Sequence, residues 1–151
     1  MHATAIGRLL RRAAPALVAL VGATALIGCA PAGPTPAQAR VDFYRDLDHT
    51  QDLLGGTWEN LDDPTPRGCL AGWWSEGVQY PALRIGSPPS SVDRALSAVS
   101  EAWTQWGLRV EQTPVGDAIE LQGRRSDALL VFRVTDQGMT LHGHSECRPD
   151  S

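Results

Sequence analysis

The chain has 151 residues, 42% of them hydrophobic and 20% charged, with 13 basic against 17 acidic residues and a formal net charge of -4. Lysine is absent and every basic residue is arginine, with no basic stripe of the kind that tracks a phosphate backbone, so nucleic-acid binding is excluded as a role. The length suits one domain with one core and is too short for two.

The first element is a short export segment. Arg8, Arg11 and Arg12 form a basic start, and Ala13 to Ile27 form an apolar run broken only by Pro15 and small residues. At about 15 residues it is shorter than the ~20 that span a bilayer, so it reads as the apolar part of a signal peptide. It ends in Leu26-Ile27-Gly28-Cys29, which resembles the lipobox of bacterial lipoproteins. That resemblance implies cleavage before Cys29 and acylation of Cys29; the bland alternative is an ordinary secreted protein or an uncleaved anchor. Arg11-Arg12 is a twin arginine without the residues that usually follow one, so the export route stays open.

Residues 1–28 are therefore expected to be signal peptide, and 29–39 a lipidated cysteine with a Pro/Ala-rich tether. Residues 40–151 form the folded domain. Loss of residues 1–28 removes three arginines and no acid, which takes the net charge from -4 to about -7. Such a domain has no affinity of its own for anionic headgroups, so two or three acyl chains on Cys29 would be the anchor. The expected location is the outer face of the cytoplasmic membrane.

Within the domain, Val41 to Leu54 has helical spacing (Val41, Tyr44, Leu47, Leu54), is dense in acids, and ends at Gly55-Gly56. Thr57 to Gly68 reads as loop. Cys69 to Trp74 and Gln79 to Ile85 read as short strands, before Gly86-Ser87-Pro88-Pro89 breaks the chain. Val92, Leu96, Val99, Trp103 and Trp106 then repeat on one face of a helix over 91–106. Ser90 is its expected cap, and Gly107 sits where a helix-ending glycine belongs. Four strands follow, at 108–113, 118–123, 128–135 and 139–145, with turns expected at Pro114-Val115-Gly116, Gly123-Arg124-Arg125 and Asp136-Gln137-Gly138. Short connections make this an antiparallel meander covered by the 91–106 helix. The expected fold class is α+β: an antiparallel sheet of four to six strands, one amphipathic helix on it, an N-terminal helix and one disulfide.

With Cys29 committed to lipid, Cys69 and Cys147 are the remaining cysteines in an oxidising compartment, and an isolated pair there reads as a disulfide. It closes a loop of about 79 residues, worth on the order of 4 kcal/mol on the chain-entropy model. Metal ligation by the pair lacks the close spacing of zinc sites.

The lipobox, tether and acidic first helix, followed by Trp58-Glu59-Asn60-Leu61-Asp62-Asp63-Pro64 shortly before Cys69 and a second cysteine at Cys147, resemble the LppA-type lipoproteins of mycobacteria and related actinobacteria. In that group a Trp-x-x-x-Asp-Asp-Pro element precedes a cysteine. The resemblance implies a cell-envelope lipoprotein and carries over no catalytic residue.

Three constellations could carry chemistry. His142 and His144, two apart on a strand, would project from one face about 6.8 Å apart with Glu146 beyond them, a metal-binding spacing that lacks an identifiable third ligand. Glu59, Asp62 and Asp63 form an acidic loop, but without the alternating oxygens and glycine of a calcium loop; a turn beside the disulfide is the plainer reading. Ser145 beside His144 suggests a nucleophile, yet no Gly-x-Ser-x-Gly elbow is present and neighbours on a strand face opposite ways. No catalytic residue, metal or cofactor is therefore expected.

The expectation is a monomeric, non-catalytic, lipid-anchored envelope protein that binds a protein or envelope component. The alternative is a carrier that holds an apolar or lipidic ligand between helix and sheet, using some of Trp58, Trp73, Trp74, Trp103 and Trp106. A filled core favours the first, and an apolar cavity of several hundred Å³ the second.

Overall fold

The computed structural model describes residues 33–72 and 75–150. The export segment, Cys29, Trp73 and Trp74 lie outside the described residues. No described helix is long and apolar enough to cross a membrane.

Helix α1 spans Pro36–Leu54. It takes in residues 36–39, expected from composition to be tether, because Thr35 caps it by accepting from the Gln38 amide and Pro36 occupies the first turn, where a missing amide hydrogen costs nothing. Its buried side runs through Ala39, Phe43, Asp46, Leu47 and Thr50, whereas Val41 faces solvent. Helix α2 spans Val92–Gln105 and buries Ala95, Leu96, Val99 and Trp103. Its cap is Ser91, whose hydroxyl accepts from the Arg94 amide, one residue later than the expected Ser90. Gly107, at φ +83, closes the other end as expected. There the Leu108 and Gly107 amides donate back to the Trp103 and Thr104 carbonyls, a geometry that favours glycine.

Among the described residues nine strands complete the fold: β1 (Trp58–Asn60), β2 (Arg67–Ala71), β3 (Ser75–Gln79), β4 (Pro81–Gly86), β5 (Arg109–Val115), β6 (Ala118–Arg125), β7 (Ala128–Val134), β8 (Met139–His144) and β9 (Arg148–Pro149). Six of them form an antiparallel sheet in the order β1-β4-β8-β7-β6-β5, and β2, β3 and β9 form a second, smaller one. The fold class is α+β, with the expected meander running from β5 to β8. The chain departs from expectation at three places. Thr57–Gly68 is not all loop, since Trp58–Asn60 pairs with Arg84–Gly86. The strand expected over 69–74 ends at Ala71, and 75–79 is a strand of its own. Two turns also shift along the chain: β5 runs through Val115, and β6 continues through the Gly123-Arg124-Arg125 stretch to turn at Ser126 (φ 53).

Gly123 stays in the ladder for a steric reason. A Cβ there would lie 2.6 Å from the Trp103 ring and 2.8 Å from Leu108, so the glycine is the seat on which the indole rests. Around that indole Phe43, Leu47, Val99, Leu121, Phe132 and Leu141 are all but fully buried. Both helices thus cover one face of the large sheet. The Cys69–Cys147 disulfide is present, with Cα atoms 6.1 Å apart and a sequence separation of 78, and joins β2 to the segment leading into β9.

Candidate functional site

The Trp58 to Pro64 element is built around a buried cation that the sequence did not single out. Arg84 on β4 is 3% exposed and points to the core side of the sheet. Its Nε and Nη2 donate to the Asp62 carboxylate at 3.0 and 2.9 Å, and Nη1 donates to Asp48 and to Gln51 Oε1, both at 2.6 Å. Burial works against the guanidinium charge, and the Asp62 and Asp48 hydrogen bonds overcome it and raise the Arg84 pKa. Asp63 turns away: it accepts from the Thr65 amide and pairs with Arg67. Its carboxyl is held below the ordinary range by Thr65 first and by Arg67 after. Trp58 lies over Gly86, where a Cβ would meet its ring at 2.8 Å, and its indole N–H donates to the Gly55 carbonyl. Glu59 pairs in register with Ile85, whose side chain is on the opposite face from Arg84, so it does not join the two aspartates. Asp62 and Asp63 form the loop clasp, with carboxylate oxygens that accept from arginine and backbone.

His142 and His144 do share a face of β8. It is the outer face, beside Leu83 and Val131. Burial and the nearby Arg133 hold the His142 pKa below its ordinary value, against the pull of Glu120. Glu120 is itself lowered by hydrogen bonds from Gln122 and Arg133. Glu146 lies beyond the end of β8 and pairs with Arg148 instead of extending the histidine face. Among the described residues no three of His, Cys, Asp and Glu are placed to hold a metal ion. Ser145 is completely buried; its hydroxyl accepts from the Tyr80 amide and donates to the Glu146 carbonyl, while His144 Nδ1 sits 3.2 Å from the Ser145 carbonyl oxygen. Ser145 is thus a structural hydroxyl that ties β8 to the start of β4.

Trp103 fills the middle of the space between α2 and the sheet. Trp103 is fully buried, with its N–H donated to Thr50 Oγ1 at 3.0 Å, and Trp106 is half-buried against the edge of His49. The concavity of interest is elsewhere. A cavity of about 320 Å³ opens between the first half of α1, the β6–β7 turn and β9. Its walls carry Arg45, Arg125, Arg148, Asp42, Asp46 and Glu146, above an apolar floor of Ala39, Phe43, Ala128 and Leu130. Asp46, 4% exposed, accepts from Arg125 at 2.6 Å. It occupies the apolar stripe of α1, and an acid at such a position is the signal in the sequence for a buried ion pair.

No family model matches the chain, and no curated protein matches it in sequence. One solved structure shares its fold. That structure is a DUF4853 family protein from Actinomyces odontolyticus, at a TM-score of 0.62 and 15% sequence identity over 80% of this chain and 72% of that one. The likeness is one of architecture, and it assigns no activity.

Proposed function

We propose that the chain is a lipid-anchored cell-envelope lipoprotein, held at Cys29 on the outer face of the cytoplasmic membrane. Its single domain is a non-catalytic module that binds a protein or envelope component. The observation that carries the reading is the Leu-Ile-Gly-Cys sequence at the end of a short apolar run, seven residues ahead of Pro36, where the domain's first helix starts. The resemblance of the Trp58 to Pro64 element and the cysteine pair to LppA-type lipoproteins supports it, as does a disulfide suited to an exported protein. The non-catalytic part rests on occupancy: Ser145, Asp62 and Asp63 are each engaged in contacts that hold the fold. The filled space around Trp103 favours a binding surface over a carrier of apolar ligand.

Expression of the full chain in an actinobacterial host with an alkyne-bearing fatty acid tests the anchor. The wild type takes the label at Cys29 and sediments with membranes; Cys29→Ala takes none and does not sediment as a mature, disulfide-bonded domain. An unlabelled wild-type protein, or a Cys29→Ala protein that is still labelled, refutes the reading.

A further inference from the structure

The arginine- and acid-walled cavity is also the part of the domain closest along the chain to Cys29. Pro34 lines it, and the five residues from Cys29 to Pro34 reach at most about 18 Å. Gly33 enters over its edge: at φ +114, a Cβ there would fall 2.6 Å from Arg148 Nη1, so the incoming chain lies directly on that guanidinium. Given the anchor proposed above, on which this inference rests, the cavity is tethered within headgroup reach of the bilayer.

Its chemistry is balanced. The Arg45 and Arg125 side chains are 51% and 38% exposed, so both guanidiniums can be approached from solvent. Arg148 Nε is buried with no acceptor among the described residues, a donor left unmade in a place where that is costly. Asp42 and Glu146 each commit only one carboxylate oxygen to their contacts among the described residues. An anion entering here meets three carboxylates, and a cation meets three guanidiniums. A zwitterion satisfies both, with a phosphate towards the arginines, which bind it in a forked geometry, and an ammonium towards the acids. At about 320 Å³ the space falls at the lower end of the range for small-ligand sites.

We infer that this cavity binds the phosphoethanolamine headgroup of a membrane phospholipid beside the anchor. The amine must be primary, because its N–H groups are what Asp42 and Glu146 can accept; a quaternary ammonium offers none, and a glycerol head brings no cation.

The test titrates glycerophosphoethanolamine into the lipidated mature chain by calorimetry, first in detergent and then in vesicles. Saturable binding is expected in detergent, with glycerophosphocholine and glycerol 3-phosphate about tenfold weaker, the equivalent of one lost charge-assisted hydrogen bond. Arg45→Gln and Glu146→Gln should each weaken binding by about the same factor while leaving the melting temperature near wild type. In vesicles that contain phosphatidylethanolamine, the soluble headgroup should bind more weakly than in phosphatidylcholine vesicles, because lipid already fills the site. Absence of saturable binding, or binding by both variants as tight as that of the wild type, overturns the site. Binding that is indifferent to vesicle composition overturns the lipid source and leaves a site for a soluble phosphoethanolamine. The intact mass at Cys29 reports separately whether the anchor reading has failed.

Discussion

Exchanging the two ends of the Arg84 clasp should have unequal effects, and the inequality follows from which partner is left in the dark. Arg84→Met removes a cation that is 3% exposed and leaves Asp48 and Asp62, whose side chains are 60% and 21% exposed. Both acids can take up water, and the methionine keeps the buried stem packed, so the cost is about 1–2 kcal/mol. Asp62→Ala leaves the guanidinium in place with Nε and most of Nη2 unanswered, and an under-satisfied buried charge costs about 3–4 kcal/mol. At roughly 4 °C per kcal/mol for a domain of this size, Asp62→Ala should melt some 8 °C below Arg84→Met. Thermal unfolding followed by circular dichroism, without reductant, measures this. The double variant should be less destabilised than the two singles summed, since removing the cation relieves the orphaned charge. An Arg84→Met protein as unstable as Asp62→Ala, or strictly additive energies, would refute the account of the clasp.

Two other outcomes follow from the core and the outer sheet face. Gly123→Ala pushes a methyl into the Trp103 ring and should cost about 1–3 kcal/mol as an overpacked site; the companion change Trp103→Phe should recover part of that loss in chemical denaturation, and no recovery would count against the contact. Burial depresses the His142 pKa in the folded state, so the unfolded chain protonates first. The contribution is therefore complete above the ordinary imidazole value, about 6.5, and is lost as pH falls from there through the folded value. His142→Gln should flatten the fall of melting temperature as the pH drops below about 6.5, and an unchanged slope would sink the assignment.

Strong periodicity made much of the architecture legible. The α2 stripe from Val92 to Trp103, the alternation in β6 and β7, and the Gly107 stop are all local signals, and each is found where sequence placed it. What escaped depends on tertiary partners. β1 has only three residues, and it exists because Arg84–Gly86 offers an edge to pair with. Gly123 has the composition of a turn and sits mid-strand because an indole from α2 needs the room. Proline at 36 looked like tether until Thr35 supplied a cap. Arg84 and Asp46 were missed for a different reason. A charge on a core-facing register position is visible in sequence, but its partners lie 22 and 79 residues away.

The disulfide also governs what happens when the chain is cut. With Cys69 bonded to Cys147, a proteolytic nick anywhere between them leaves two fragments that are still one covalent molecule. A chain held at Cys29 is then not shed by such a cut. Only the interval from Cys29 to Cys69 is unprotected, and one of the exposed stretches among its described residues is that around Leu61 and Pro64. There Asp62 is held by Arg84, and Asp63 by the Thr65 amide and Arg67. The clasp and the disulfide divide the labour: one secures a segment whose cleavage would release the domain, and the other makes cleavage between the two cysteines inconsequential for retention. With the chain anchored at Cys29 as proposed, limited proteolysis should therefore release the domain more readily when Arg84 is lost than when the β6–β7 turn is opened to a protease.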